Sequence, residues 1–206
     1  MRSCVWFLVL SALVVPKDVN AQAPSLDSLL ASFRGLSGLS ARFREEKQVA
    51  LLAAPLRSEG EIHFAPPGRL LRRVTGPTTS AALIADGRLT MSAGGRRQQF
   101  DLSRQPLVAG FVDSFRYVLA GDRAALERAY DINFTVQDGT WELRLRPKAS
   151  PLREFLREMV MVGRGVVVSR LRMTEASGDV TTTDFFDVDV GREWSPSEVR
   201  RVFRVE

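Results

Sequence analysis

From Leu39 to Arg44 apolar and polar residues alternate, with Leu39, Ala41 and Phe43 on one side and Arg42 and Arg44 on the other. This is the two-residue period of a strand with one buried face. Similar extended runs follow at 57–64, 69–75, 80–85, 88–92 and 96–102. They are separated by Pro66-Pro67-Gly68, Asp86-Gly87 and Gly94-Gly95, and the last two pairs tolerate the positive φ of tight hairpin turns. The pattern then changes to helical spacing through Leu107, Phe111, Phe115, Val118 and Leu119, with Gly121 as a stop and Asp122 as the cap of a second helix reaching Tyr130. Strands resume at 131–137, 140–145, 156–162, 166–174 and 180–190. Two further helices frame the array: Leu26, Leu29, Leu30 and Phe33 recur at helical spacing after Ser25, and Ser195-Pro196-Ser197-Glu198 forms a capping box. About ten strands in hairpin order exclude a βαβ fold. They predict a mainly β domain with some α: a single curved antiparallel sheet, or incomplete, unclosed barrel, under a helical lid.

The first residues read differently. Arg2 precedes an apolar run from Cys4 to Val15, too short to span a bilayer, and Val19-Asn20-Ala21 offers small residues for cleavage before Gln22. Residues 1–21 are therefore expected to be a secretory signal peptide and 22–206 one exported domain. Cys4 comes too early to be a lipidated cysteine. Removing Arg2, Lys17 and Asp18 takes the 29 basic and 24 acidic residues to 27 and 23, a mild excess of +4. Acids are interspersed among the arginines, so no nucleic-acid stripe is indicated.

Candidate chemistry is sparse. His63 is the only histidine, and no cysteine lies downstream of Cys4, so a histidine-based metal site has no partners. Ser58, Ser92 and Ser103 lack the turn of a nucleophile elbow. Strand alternation puts Asp187 and Asp189 on one face and Asp184 on the other, a pattern of solvated edge charges rather than converging cation ligands. Arg69, Arg72 and Arg73 with Arg96 and Arg97 form a candidate basic patch. No catalytic residue, cofactor or metal is assigned, and the chain is read as a non-enzyme.

Several segments in order resemble the LolA-type outer-membrane lipoprotein carrier family, in its LolA-related branch. They are residues 39–47, Pro55 to Ile62, Ile84-Ala85-Asp86-Gly87, Leu119-Ala120-Gly121-Asp122 with Ala125-Leu126, and Trp141 to Pro147. The resemblance implies a monomeric periplasmic carrier that shields acyl chains of lipoproteins or lipids on the way to the outer membrane. Its partners would be lipidated cargo, an inner-membrane transporter and an outer-membrane acceptor. A glycolipid or pigment-lipid carrier is the alternative cargo class; a lipid-modifying enzyme or a structural adaptor are the rival functions. On this resemblance Leu70, Phe111, Phe115, Val118, Met159 and Met161 would line an acyl-chain cavity; core packing is the other reading of the same residues. The chain departs from the better-known carriers at the proline turn, where Pro66 stands in place of an arginine that latches the lid.

Overall fold

A computed structural model describes residues 24–205. The expected signal peptide and its cleavage site lie outside the described residues. In chain order the elements are α1 (Leu26–Arg34), β1 (Leu39–Gln48), β2 (Leu56–Ala65), β3 (Arg69–Gly76), β4 (Ser80–Ala85), β5 (Arg88–Ala93) and β6 (Arg96–Asp101). After a short 3-10 turn (Leu102–Arg104) come α2 (Pro106–Leu119), α3 (Arg123–Ala129), β7 (Tyr130–Gln137), β8 (Thr140–Pro147), α4 (Leu152–Phe155), β9 (Leu156–Arg164), β10 (Val167–Glu175), β11 (Val180–Val190) and α5 (Pro196–Val202). The eleven strands form one antiparallel sheet in the order β6-β5-β4-β3-β2-β1-β11-β10-β9-β8-β7. Two meanders are thus joined where β11 returns to pair with β1, and β6 and β7 are left as unpaired edges.

That topology explains why the sheet is curved. Laid flat, eleven strands would separate β6 from β7 by roughly 48 Å at about 4.8 Å per strand. The connection between them is mostly α2 and α3, of 14 and 7 residues, about 30 Å of helix at 1.5 Å per residue. A connection that is mostly helix favours edges drawn toward one another, and its helices pack across one face of the sheet. The turns behave as their sequences require: Asp86-Gly87 and Asp138-Gly139 both carry positive φ.

The helices bury one large core against the β7–β11 half. Leu29, Leu30 and Phe33 of α1, Val118 of α2 and Leu126 of α3 pack on Trp141, Leu143, Leu145, Met159, Met161 and Leu171. Trp141 is fully buried, donates its indole N–H to the Gly165 carbonyl at 2.8 Å and meets the Phe33 ring edge-on. Its cross-strand partner is Gly163, where a Cβ would fall 2.4 Å from the Trp141 ring, so only glycine leaves space for the indole. α4, unforeseen in the sequence, wedges Leu152 against Gly110 of α2.

α5 lies on the opposite face. Phe203 and Val205 pack with Ala65 and Leu71, flanked by Trp194, Ala81 and Leu83. In the ladder register Leu71 pairs with His63 and Leu83, a row that faces away from α1–α3. The expectation of one apolar and one wet face per strand is corrected here: β2, β3 and β4 are covered on the side away from the lid.

Candidate ligand-binding face

The face that carries α1–α3 has two unlike halves. Across β8, β9 and β10 the rows Leu143–Met161–Leu171 and Leu145–Met159–Met173 sit under the helices. Followed through the same ladders, this face continues as Thr183, Glu45 and Ser58, then Phe185, Phe43, Gly60 and Val74 along the strands. Its far end is a register row: Val190, Leu39, Phe64, Leu70, Ile84, Leu89 and Phe100 face one another in turn across β11, β1, β2, β3, β4, β5 and β6. Seven apolar side chains thus form a continuous line of roughly 28 Å, at about 4.8 Å per strand. Among the described residues, neither buried cluster includes any of them. Phe64 is buried and the others are half-buried. Beside this row run Ala41, Ile62, Arg72, Ala82 and Met91, and Met91 is 43% exposed.

The six residues singled out in the sequence occupy three environments. Met159, Met161 and Val118 are in the dry core, at most 4% exposed. Phe111 and Phe115 are half-buried on α2 against that core, their rings edge-to-face at 5.3 Å. Leu70 stands in the other half of the sheet, in the centre of the apolar row. Ile84, Leu89 and Phe100 were missed although the signal was present: two-residue turns at Asp86-Gly87 and Gly94-Gly95 fix the register that aligns them.

The lid is held at two places. Ser114 and Tyr130 share a hydrogen bond of 2.5 Å between hydroxyls inside the core, and whichever hydroxyl accepts that bond is free to donate to the Gly110 carbonyl, which lies 3.1 Å from Ser114 Oγ and 3.3 Å from the Tyr130 hydroxyl oxygen. Burial pushes the Tyr130 phenol above its ordinary pKa. At the other end of α2, Arg34 of α1 donates to the carbonyls of Ala120 and Gly121. A lid-tethering arginine is thus present, supplied by a helix rather than by the β2–β3 turn. Arg69, next to that turn, reaches Asp86 at 3.6 Å.

The basic patch divides among separate places. Arg72 points to the helix-bearing face, where Nη2 donates to Glu45 at 2.7 Å and the guanidinium lies 4.5 Å over the Phe43 ring. Arg73 points the other way and donates to the carbonyls of Val202 and Arg204, tying down the end of α5.

Ser40, His63 and Glu61 come together on the α5 side, with Ser40 Oγ 3.0 Å from Nδ1 and Glu61 Oε2 3.3 Å from Nε2. Catalysis by such a set needs donors for an oxyanion, yet Ser40 sits mid-sheet with neighbours on both sides, Asp189 and His63. The ring packs edge-on against Trp194 and Phe203. The geometry is that of a strand histidine anchored under a helix, and burial lowers its pKa. Asp187 adopts φ 51° at a bulge in β11, which reverses the alternation inferred from sequence: Asp184 and Asp189, opposite Arg44 and Ser40, share a face. Asp184 pairs with Arg170 and Asp187 with Arg42. Among the described residues no group of three or more His, Cys, Asp or Glu is placed to hold a metal.

Comparison with known proteins agrees with this architecture. Residues 19–186 match the family described as outer membrane lipoprotein carrier protein LolA-like, and the chain belongs to that family. Among solved structures, a DUF1329 family protein from Desulfovibrio piger shares the fold at TM-score 0.50 and 11% identity, over 87% of this chain and 96% of that one. A LolA superfamily protein from Nitrosomonas europaea aligns at TM-score 0.48 and 13% identity, covering 88% and 98% of the two chains. A chain of the Pseudomonas aeruginosa MucA/MucB complex aligns at TM-score 0.48 and 13% identity, over 83% of this chain and 57% of its own length. No curated protein matches in sequence.

Proposed function

We propose that this protein is a carrier that shields the acyl chains of lipoproteins or lipids as they pass through the periplasm toward the outer membrane. The observation that carries the reading is the line Leu39–Phe64–Leu70–Ile84–Leu89–Phe100, apolar, in register and outside both buried clusters. Membership of the LolA-like family supports it. Residues 1–21 act as the export signal in this reading, and the chain works as a monomer that receives cargo at the inner membrane and yields it to an acceptor.

The chemistry is burial alone. Each methylene removed from water contributes about 0.8 kcal/mol, so a sixteen-carbon chain gains on the order of 10 kcal/mol, and a membrane or second carrier can match that gain and take the cargo. In this reading Phe111 and Phe115, half-buried on α2 against the core, are the lid side chains that shift when cargo enters.

Native mass spectrometry of protein purified from the envelope, with its leader encoded, tests the proposal. Adducts whose fragmentation releases fatty acyl groups are expected. Protein that carries no acyl adduct and fails to bind a fluorescent acyl probe would contradict it.

A further inference from the structure

Resting on the carrier reading, we propose that Arg72 receives the negatively charged head of an acyl-bearing ligand, an oxyanion such as a carboxylate or a phosphate. Arg72 follows Leu70 by two residues on β3 and so shares its face, about 7 Å farther along the strand at roughly 3.3 Å per residue. Its lateral neighbours are apolar, Ile62 on β2 and Ala82 on β4. A guanidinium in such a setting is costly without a partner, and Glu45 supplies one at 2.7 Å while itself accepting from Thr183 at 2.9 Å. Stacking over Phe43 fixes the plane of the group.

The arrangement holds the arginine without exhausting it. A guanidinium carries five N–H donors, Glu45 takes one through Nη2, and the side chain is still 35% exposed. Along the strands the same face runs from the apolar row at Leu70 to Arg72, whose side chain crosses the Phe43 ring in the next row to reach the polar row of Thr183, Glu45 and Ser58. An amphiphile matches that gradient with its chain over Leu70, Ile84 and Leu89 and its head at the arginine. Arginine is suited to the task because its planar fork meets two oxygens of a carboxylate or phosphate at once.

The test uses the full chain without its leader and four ligands with the same sixteen-carbon chain: palmitate, hexadecyl phosphate, methyl palmitate and hexadecanol, each competing with a fluorescent acyl probe. Wild-type protein should prefer one or both anions over the uncharged pair by about tenfold, and the stronger anion identifies the headgroup. Arg72→Met, which keeps an apolar stem of similar length, should erase that preference while methyl palmitate binds within about twofold of wild type. Glu45→Gln, which removes the negative charge that competes for Arg72, should increase the preference and covers the case in which Arg72→Met does not fold. Equal binding of all four ligands by wild type, or a preference that survives in Arg72→Met or falls in Glu45→Gln, would overturn the assignment. Failure of all four to bind wild type would instead overturn the carrier reading on which it rests.

Discussion

Arg34 Nη2 lies 2.6 Å from the carbonyl oxygen of Gly121, and its Nε reaches that of Ala120, so the last residue of α1 fastens the end of α2. Ala120 is the C-cap of α2, whose carbonyl the helix leaves without an internal partner, and the cation also suits the negative pole of the helix. Replacing Arg34 with Ala removes both donors from a partly exposed site, a loss of about 1 kcal/mol. The expected result is faster hydrogen exchange at the C-terminal amides of α2, by about fivefold, with the strand amides of β8 and β9 unchanged. Uniform exchange in mutant and wild type would mean that the lid is held elsewhere.

Gly121 makes the same junction sensitive to a single methyl group. Its φ is +60°, and a Cβ there would stand 2.4 Å from the Leu30 carbonyl oxygen. The left-handed conformation costs an alanine about 1 kcal/mol, and backbone must also move. Gly121→Ala should therefore lower stability by more than about 2 kcal/mol in urea unfolding; a loss below about 0.5 kcal/mol would show that the α1–α2 contact is loose.

Acidification should loosen the α5 side through His63. Burial under Trp194 and Phe203, with smaller opposition from the Glu61 carboxylate, holds the imidazole below its ordinary pKa. The unfolded chain then takes up the proton at a higher pH than the folded one, so the neutral ring contributes stability that is present above the ordinary imidazole range and lost as pH falls through the folded value. Arg73 and Arg192 also disfavour the cation from nearby. Melting followed from pH 7.5 to 5 should show a steeper decline for wild type than for His63→Gln. Identical slopes would contradict the assignment.

Much of this fold is legible in the sequence because its signals are local. Asp-Gly and Gly-Gly turns, the Ser195 capping box and the two-residue alternation fix most strands and α5 independently of their surroundings. The site is less legible, because it depends on which side of the sheet each strand turns to the lid. Apolar character alone cannot separate Met159, sealed beneath α1 and α2, from Leu70, outside that core. β6 hides its contribution further, since Phe100 follows Arg96-Arg97-Gln98-Gln99 and gains meaning only in register with Leu89. Likewise, adjacent Arg72 and Arg73 appear as one basic patch until the pleat sends them to opposite faces. Asp187 failed for a related reason: a bulge shifts alternation by one, and nothing in Phe185-Phe186-Asp187-Val188 announces it.

The central claim is that cargo lies on the row through Leu70 and Ile84, outside the core that holds Met161, and paired measurements of acyl-probe affinity and unfolding stability test it most directly. Leu70→Asn and Ile84→Asn should each weaken probe binding by about tenfold with only a small change in stability, since neither side chain belongs to a buried cluster. Met161→Ala should do the reverse, costing about 2 to 5 kcal/mol of stability while each folded molecule binds the probe as wild type does. Unchanged affinity in both asparagine variants, with affinity lost in Met161→Ala, would place the acyl chain inside the helix-covered core and contradict the claim.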